Sequence, residues 1–560
     1  MQQSIEPKAV EQWVADFTPK PLYDYLEVTA RAYSSNLATD FMGKKMTYGE
    51  LGAKVEKAAL GLANLGVKKG DRVGICLPNT PFYPVFYFAI LRLGAVVVNF
   101  NPLYVEREIA FQARDAGVRL MITLDLKLIY DKVEAVRREG AIDKVIVCPF
   151  TSILPQPKRL LFGLFKGKEL AKVKADHTHV LMDDLLASTG VLPQVSIDPQ
   201  EDIAVLQYTG GTTGVPKGAM LTHANISANM QQMHELFYDT TMGEERMLCV
   251  LPFFHVFAMT VVQNLSVMLA AEMVLMPRFE IKMLLDAVKR TKPTLFAGVP
   301  TLYTAINNAP ETKSFDLSSI RLCISGGAPL PVEVKQTFEK LTGCTLVEGY
   351  GLTETSPIAC ANPLDGSGKD GSIGVPLPGT KVVFRDLDDP SKDVADGEKG
   401  ELCVVAPQVM KGYWQRPEET EKTLEDGKIL HTGDVGYRDK DGFIYLVDRI
   451  KDLIISSGYN VYPRVIEEAL YQHDGVQEAI VIAIEDAYRG QAPKAFVKLR
   501  EGHEVSEEEL KTFLAGHISK IEMPKSIEFR DELPKTMVGK LSKKELVEEE
   551  REKALAKANA

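Results

Sequence analysis

Short runs rich in β-branched and other apolar residues return along the chain, each followed by a stretch with helical periodicity: VGIC (73–76), AVVVNF (95–100), LMITL (120–124), KVIVC (144–148), IAVLQY (203–208), TLFAGV (294–299), LCISGG (322–327) and TLVEGY (345–350). This rhythm predicts βαβ units and parallel sheets, since parallel neighbours need a crossover of a dozen or more residues, usually a helix. Several runs end in glycine-rich turns. In open α/β sheets ligands gather at the carboxyl ends of the strands, so the segments TGGTTG, GGAP and GYGLTE are expected along one functional edge. At 560 residues the chain exceeds a single core, and roughly three or four folding units are expected. From about residue 371 the texture changes to turn-rich β segments such as GSIGVPLPGTKVVFRD, predicting a small antiparallel, barrel-like subdomain through 449. A second change near 450 opens a compact α+β unit with strands around 479–484 and 494–499, ending in a solvated helix at EEEREKALAKA (548–558). The expected fold class is therefore α/β, a large domain over 1–449 followed by a small one over 450–560.

Composition removes several classes of function. A net charge of -11 argues against a nucleic-acid footprint across the surface. The 7 cysteines are scattered, without a C-x-x-C pair, so neither a disulfide framework nor a zinc motif is suggested and a reducing cytoplasm fits. The start, MQQSIEPKAVEQW, lacks the basic and apolar regions of an export signal. The most apolar region, 247–276, is interrupted by Pro252, His255, Gln263, Asn264 and Glu272, and reads as buried core, not as a membrane crossing.

YTGGTTGVPKGAMLTH (208–223) combines bare backbone, hydroxyls and a lysine. Glycine lets N–H groups approach an anion closely, while threonine and lysine add donors and charge, so the stretch reads as a phosphate cradle. It is not a Walker A loop: Gly218 follows Lys217 where that motif needs a hydroxyl residue.

Four ordered stretches, YTGGTTGVPKG (208–218), EGYGLTE (348–354), HTGDVGY (431–437) with DRIKDLIISSGYNVYPRVIE (448–467), and PKTMVGKLSKKEL (534–546), together resemble the adenylate-forming enzymes: acyl-CoA synthetases, luciferases and nonribosomal adenylation domains. The chain is most similar to the bacterial long-chain fatty acid–CoA ligases, from about residue 20 to 547, including NPLY (101–104), PQVMKGYWQRPEET (407–420) and EFRDELPKT (528–536). The resemblance implies activation of a fatty acid carboxylate by ATP and Mg²⁺ as an acyl-adenylate, attack by coenzyme A, and a mobile C-terminal domain that alternates between the two steps. It implies that Thr209, Gly210, Gly211, Thr212, Thr213, Gly214 and Lys217 hold the β- and γ-phosphates. Gly326, Gly327 and Ala328 would line the adenine and acyl pockets, and Tyr350, between the cofactor-binding Gly349 and Gly351, would stack on or flank the adenine; Thr353 would contact the α-phosphate and Glu354 would hold Mg²⁺. Asp434 would accept the ribose hydroxyls, Arg449 reach ribose and phosphate, and Lys451 mark the hinge. Ser457 and Gly458 would line the pantetheine path. Lys540 would bridge the carboxylate and α-phosphate, and His255 border the acyl carboxylate; Phe253, Phe254, Phe257 and Met259 around it are equally at home in an alkyl channel or in core.

Lys428, Ile450, Lys543 and Lys544 depart from the fatty acid ligase pattern without touching these groups, which weakens any transfer of chain-length preference. Rival readings are an acyl-AMP ligase or a coumarate-type ligase, and, less favoured, a catalytically silent fatty acid binding protein. The oligomeric state is open, a homo-oligomer included. PKRLLFGLFKGKELAKVK (157–174) stands apart in an acidic chain, with Lys158, Arg159, Lys166, Lys168, Lys172 and Lys174 against Glu169 alone, around Leu160, Leu161, Phe162, Leu164 and Phe165. It reads either as a segment lying on an anionic membrane or as a charged helix docked on the protein.

Overall fold

The computed structural model describes residues 7–209, 215–456, 459–486, 489–536 and 540–558. Two large sheets carry the chain from Leu37 to Pro376, joined by the short strand Gly412–Tyr413. The first, nine-stranded, contains the parallel strands Leu37–Phe41, Glu272–Leu275, Arg246–Cys249, Leu295–Gly298, Leu322–Gly326 and Thr345–Gly351, closed by antiparallel neighbours at both edges. The second, eight-stranded, runs in parallel from Ile203–Thr209 through Val96–Asn99, Arg72–Cys76, Leu120–Leu124 and Lys144–Cys148 to His179–Leu181. Every βαβ strand expected from the apolar runs is a strand of one of these two sheets. Their near-continuous burial follows from cover on both faces.

Both sheets share one core. The helix Phe82–Arg92 is apolar nearly all round and buried along its length, and Tyr83 reaches from it to Asn99 in one sheet and to the Phe253 carbonyl beside the other (2.5 and 3.0 Å). Region 247–276 is core: Ala258–Asn264 is a π-helical stretch buried throughout, followed by Glu272–Leu275 inside the nine-stranded sheet. Among the described residues no helix is long and apolar enough to cross a membrane.

The antiparallel subdomain is an open five-stranded sheet, Lys381–Arg385, Gly400–Val405, Ile429–Arg438 and Leu424–Glu425 in path, with Ile444–Arg449 also on Ile429–Arg438. Leu424–Glu425 pairs with the start of that long central strand, at Ile429 and Leu430, and Ile444–Arg449 with its end, Asp434–Arg438, so the path branches and the subdomain is an open sheet, not the barrel expected. The small C-terminal domain carries another five-stranded sheet, dominated by the hairpin Val476–Asp486 and Gly490–Leu499. Helix Pro463–Tyr471 packs on it, and Lys544–Ala558 closes the chain.

Candidate active site

Strand Ile203–Thr209 turns back antiparallel as Lys217–Thr222, and the register sets Thr209 opposite Lys217 at the mouth of the turn. Gly210, Gly211, Thr212, Thr213 and Gly214 lie outside the described residues. The base of the hairpin is fixed by neighbours far away in sequence. Tyr208 donates its hydroxyl to Asp115 at 2.6 Å, Arg416 pairs with the same carboxylate at 2.5 Å, and the Trp414 N–H donates to the Gly218 carbonyl at 2.8 Å. The Lys217 ammonium pairs with Glu419 and lies 5.1 Å from the centroid of the Tyr413 ring.

The same tyrosine serves the second stretch. Tyr413 donates its hydroxyl to Glu354 Oε1 at 2.6 Å, and burial together with that carboxylate pushes its own ionisation far up, so it remains a donor. Glu354 and Thr353 occupy a single helical turn after Thr345–Gly351, held from behind by Thr355, whose hydroxyl accepts the Leu352 N–H at 2.9 Å. At Gly351 any Cβ would stand 1.8 Å from the Pro357 carbonyl oxygen, which makes glycine obligatory where the chain folds back. Gly349 lies buried within the strand.

From the end of that strand Tyr350 donates to Asp434 Oδ2 at 2.6 Å. Asp434 is buried on Ile429–Arg438 and receives Arg449 Nε on Oδ1 at 2.9 Å, the two residues facing each other across an antiparallel pair. Asp434 thereby presents a carboxylate beside a guanidinium and a phenol, a set suited to hydroxyl donors with an anion nearby. Lys451 is exposed in the turn Ile450–Asp452, between the antiparallel subdomain and the small domain. Ser457 and Gly458 lie outside the described residues.

Lys540 enters from the small domain. Its backbone is tied to Thr536 by N–H to Oγ1 at 3.1 Å and by the Thr536 N–H to its carbonyl at 2.6 Å. The side chain runs over Gly327, where φ is +83° and a Cβ would come within 2.3 Å of Lys540 Cε and 2.7 Å of Nζ. Only glycine allows both that backbone and that approach. Ala328, the next residue, is partly exposed. Lys540, His255, Leu251, Pro252, Phe257 and Val299 line one small, mainly apolar pocket. Burial, with Arg449 as a second cation, holds Lys540 down at about 8. Burial and then the Lys540 charge hold His255 down at about 3, so the ring is neutral at physiological pH. The Phe257 N–H donates to His255 Nδ1 at 3.3 Å, which leaves the ring proton on Nε2 as a donor. Phe253 and Met259 are core, the first edge-on to Tyr83 and the second against Asn99, whereas Phe257 borders the pocket and packs under Gly326.

The structure thus gathers Lys540, His255, Gly327, Glu354, Tyr350, Asp434, Arg449 and the cradle's Thr209 and Lys217 along the carboxyl ends of the parallel strands and the facing edge of the antiparallel sheet. Sequence reasoning assigned no role to Tyr413, Glu419, Arg416 or Asp115. The first three sit in PQVMKGYWQRPEET, a stretch singled out only as a resemblance; the pairing of Gly412–Tyr413 with Lys217–Thr222 is what brings it to the cradle.

Residues 26–414 match the family model described as AMP-binding enzyme, and 465–540 match the AMP-binding enzyme C-terminal domain. The chain belongs to the AMP-binding enzymes, within the adenylate-forming superfamily. Among curated proteins it is 45% identical to a long-chain-fatty-acid–CoA ligase of Bacillus subtilis (strain 168), covering 95% of both chains. It is 39% identical to the ligase of the same name from Escherichia coli O157:H7, covering 96% of both. The ATP-bound crystal structure of MatB from Rhodopseudomonas palustris superposes with a TM-score of 0.82 at 29% identity, covering 95% of this chain and 99% of that one.

Proposed function

We propose that the protein is an ATP-dependent fatty acid–CoA ligase, acting on medium to long chains in the cytoplasm. The carboxylate oxygen attacks the α-phosphorus and pyrophosphate leaves; the coenzyme A sulfur then attacks the acyl carbon and AMP leaves. The observation that carries this reading is the Lys540 ammonium beside a neutral His255 donor in one desolvated pocket next to the Tyr350, Asp434 and Arg449 group. A cation and an N–H donor there would offset charge developing between carboxylate and phosphate, the kind of preorganised electrostatics that dominates such reactions. Asp434 would receive the ribose hydroxyls, with Arg449 on its phosphate side, and Lys217 the departing phosphates once released from Glu419. Tyr350, Gly349, Gly351, Gly327 and Ala328 would enclose the adenine. Glu354 is the residue we assign to Mg²⁺. Tyr413 occupies one of its oxygens, and a carboxylate beside bound phosphates suits an oxygen-seeking cation, which would neutralise phosphate charge. We divide the molecule at 449/450, with Lys451 as the hinge.

The test supplies purified protein with ATP, Mg²⁺, coenzyme A and acids from butyrate to stearate plus coumarate, following AMP and thioester together. Equal yields of both with the longer straight-chain acids are expected. AMP without thioester would make the protein an acyl-AMP ligase, and turnover of coumarate alone would make it an aryl-acid ligase.

We also propose peripheral attachment to anionic membrane through residues 157–174. Helix Lys158–Lys166 leaves Leu160, Leu161, Leu164 and Phe165 exposed, Phe165 at 80%, amid its lysines, while Phe162 anchors it by an edge contact with Phe150.

A further inference from the structure

In the antiparallel subdomain, on the strand that also carries Asp434, His431 is the register partner of Cys403, and Glu401 and Cys403 lie two residues apart on the neighbouring strand Gly400–Val405. Two residues apart on a strand means the same face, so a carboxylate, a thiol and an imidazole converge. Their ligand atoms all lie within 4.8 Å of one another. His431 Nδ1 is 3.5 Å from Cys403 Sγ and 2.8 Å from Glu401 Oε2, a hydrogen bond that must open to about 3.3 Å for both atoms to hold one tetrahedral ion. Bonds of about 2.3 Å to sulfur and 2.0 Å to nitrogen at a tetrahedral angle require an S···N separation of about 3.5 Å. The surrounding bonds match a metal site as well. A metal-bound histidine normally gives its other ring N–H to a carboxylate; here His431 Nε2 meets Glu425 Oε2 at 3.0 Å, and Arg385 grips Glu425 at 2.9 and 3.2 Å. Glu401 Oε1, the oxygen turned away from the ring, is held by the Gly433 N–H at 3.0 Å.

We propose that Glu401, Cys403 and His431 form a three-donor site for Zn²⁺ or a similar borderline-soft divalent cation, apart from the Mg²⁺ assigned to Glu354. Nitrogen, sulfur and a single carboxylate oxygen select such a metal over Mg²⁺ or Ca²⁺, which seek oxygen. Binding displaces the thiol proton and any proton on Nδ1 into solvent, leaving thiolate and imidazole on the metal, so affinity rises with pH. Cys403 is fully buried and His431 is 19% exposed, so solvent and a fourth ligand reach the metal from the His431 side.

Cobalt(II) is the probe, added to the full-length protein and followed for the near-ultraviolet charge-transfer band that only a thiolate–Co²⁺ bond gives. One equivalent should develop the band, and excess Zn²⁺ should abolish it. Cys403→Ser should lose the band and bind Zn²⁺ at least tenfold more weakly in equilibrium dialysis, while keeping thioester formation. Glu425→Gln, which removes only the orienting carboxylate, should keep the band and weaken binding. His431→Gln supplies the same loss of the band should Cys403→Ser fail to fold. No band in the wild type, or an undiminished band in Cys403→Ser or His431→Gln, overturns the site.

Discussion

Lys540 is an ammonium held where charge is disfavoured, and its consequences are visible in pH. Its ordinary value is near 10.5, and burial with Arg449 nearby brings it to about 8. The cation is therefore present below that pH and lost as pH rises through it. Because kcat/KM reports ionisations of the free enzyme, kcat/KM for ATP in adenylate formation should fall about tenfold per pH unit above 8. Lys540→Arg, charged at every accessible pH, should be slower but flat over that range. A wild-type profile flat to pH 10 would show that Lys540 is not the group whose charge is used. His255 predicts the complementary absence: already neutral, it contributes no acid limb near pH 6. Lys540→Ala should lose adenylate formation by about 10²–10³-fold, the usual cost of one transition-state donor, and still convert supplied acyl-AMP and coenzyme A to thioester. Equal loss of both half-reactions would remove domain alternation from the proposal.

Among the elements, the helix Lys158–Lys166 makes the next prediction. Its apolar side chains are exposed without a partner surface among the described residues, and only Phe162 is tied down. Each lysine near an anionic bilayer contributes about 1 kcal/mol, screened by salt. Replacing Lys166, Lys168 and Lys172 by Glu should abolish flotation with phosphatidylserine vesicles at low salt while leaving activity on dispersed acid intact. Undiminished flotation would return the helix to an ordinary charged surface. At this same scale the sequence was most readable where one residue pattern decides an element. The eight apolar runs that announce parallel strands are buried on nearly every residue, so composition marks them, whereas the parallel strands Leu37–Phe41, His179–Leu181, Arg246–Cys249 and Glu272–Leu275 carry no such separate signal. The antiparallel strands Lys217–Thr222, Ile358–Ala361 and Gly412–Tyr413 were not foreseen, because each exists through pairing with a partner. The π-helical turn Ala258–Asn264 likewise leaves no mark in an apolar run. For the site, motifs pointed to Glu354, Asp434 and Lys540, whereas Asp115 is joined to Tyr208 and Arg416 across 93 and 301 residues and carries no local signal.

At the scale of the whole molecule, the seating of the small domain on the large one is itself titratable. Glu348, on the strand that leads to Tyr350, lies buried where the helix Pro463–Tyr471 brings up Arg464. Burial raises Glu348 to about 7, and Arg464 offsets that only in part, being engaged with Glu468 at 2.8 Å. An acid whose folded value exceeds its unfolded one binds its proton more tightly in the fold. Stability from this group is therefore greatest below pH 4.5 and declines as pH rises from there to 7. Glu348→Gln keeps an acceptor for the Leu330 N–H, which Glu348 Oε2 receives at 3.1 Å, and removes the charge. The variant should be more stable than the wild type at pH 8 by about 1–3 kcal/mol, allowing for the attraction to Arg464 that is given up, and the difference should vanish near pH 4. Because the seating that buries Glu348 also carries Lys540 to its pocket, the variant should favour adenylate formation over the thioester step at pH 8. Thermal melts at both pH values and the two half-reactions measured separately test this together. A variant less stable than the wild type at pH 8 would mean that the Glu348–Arg464 attraction outweighs the cost of burying the charge, and that the two domains are held together by this pair.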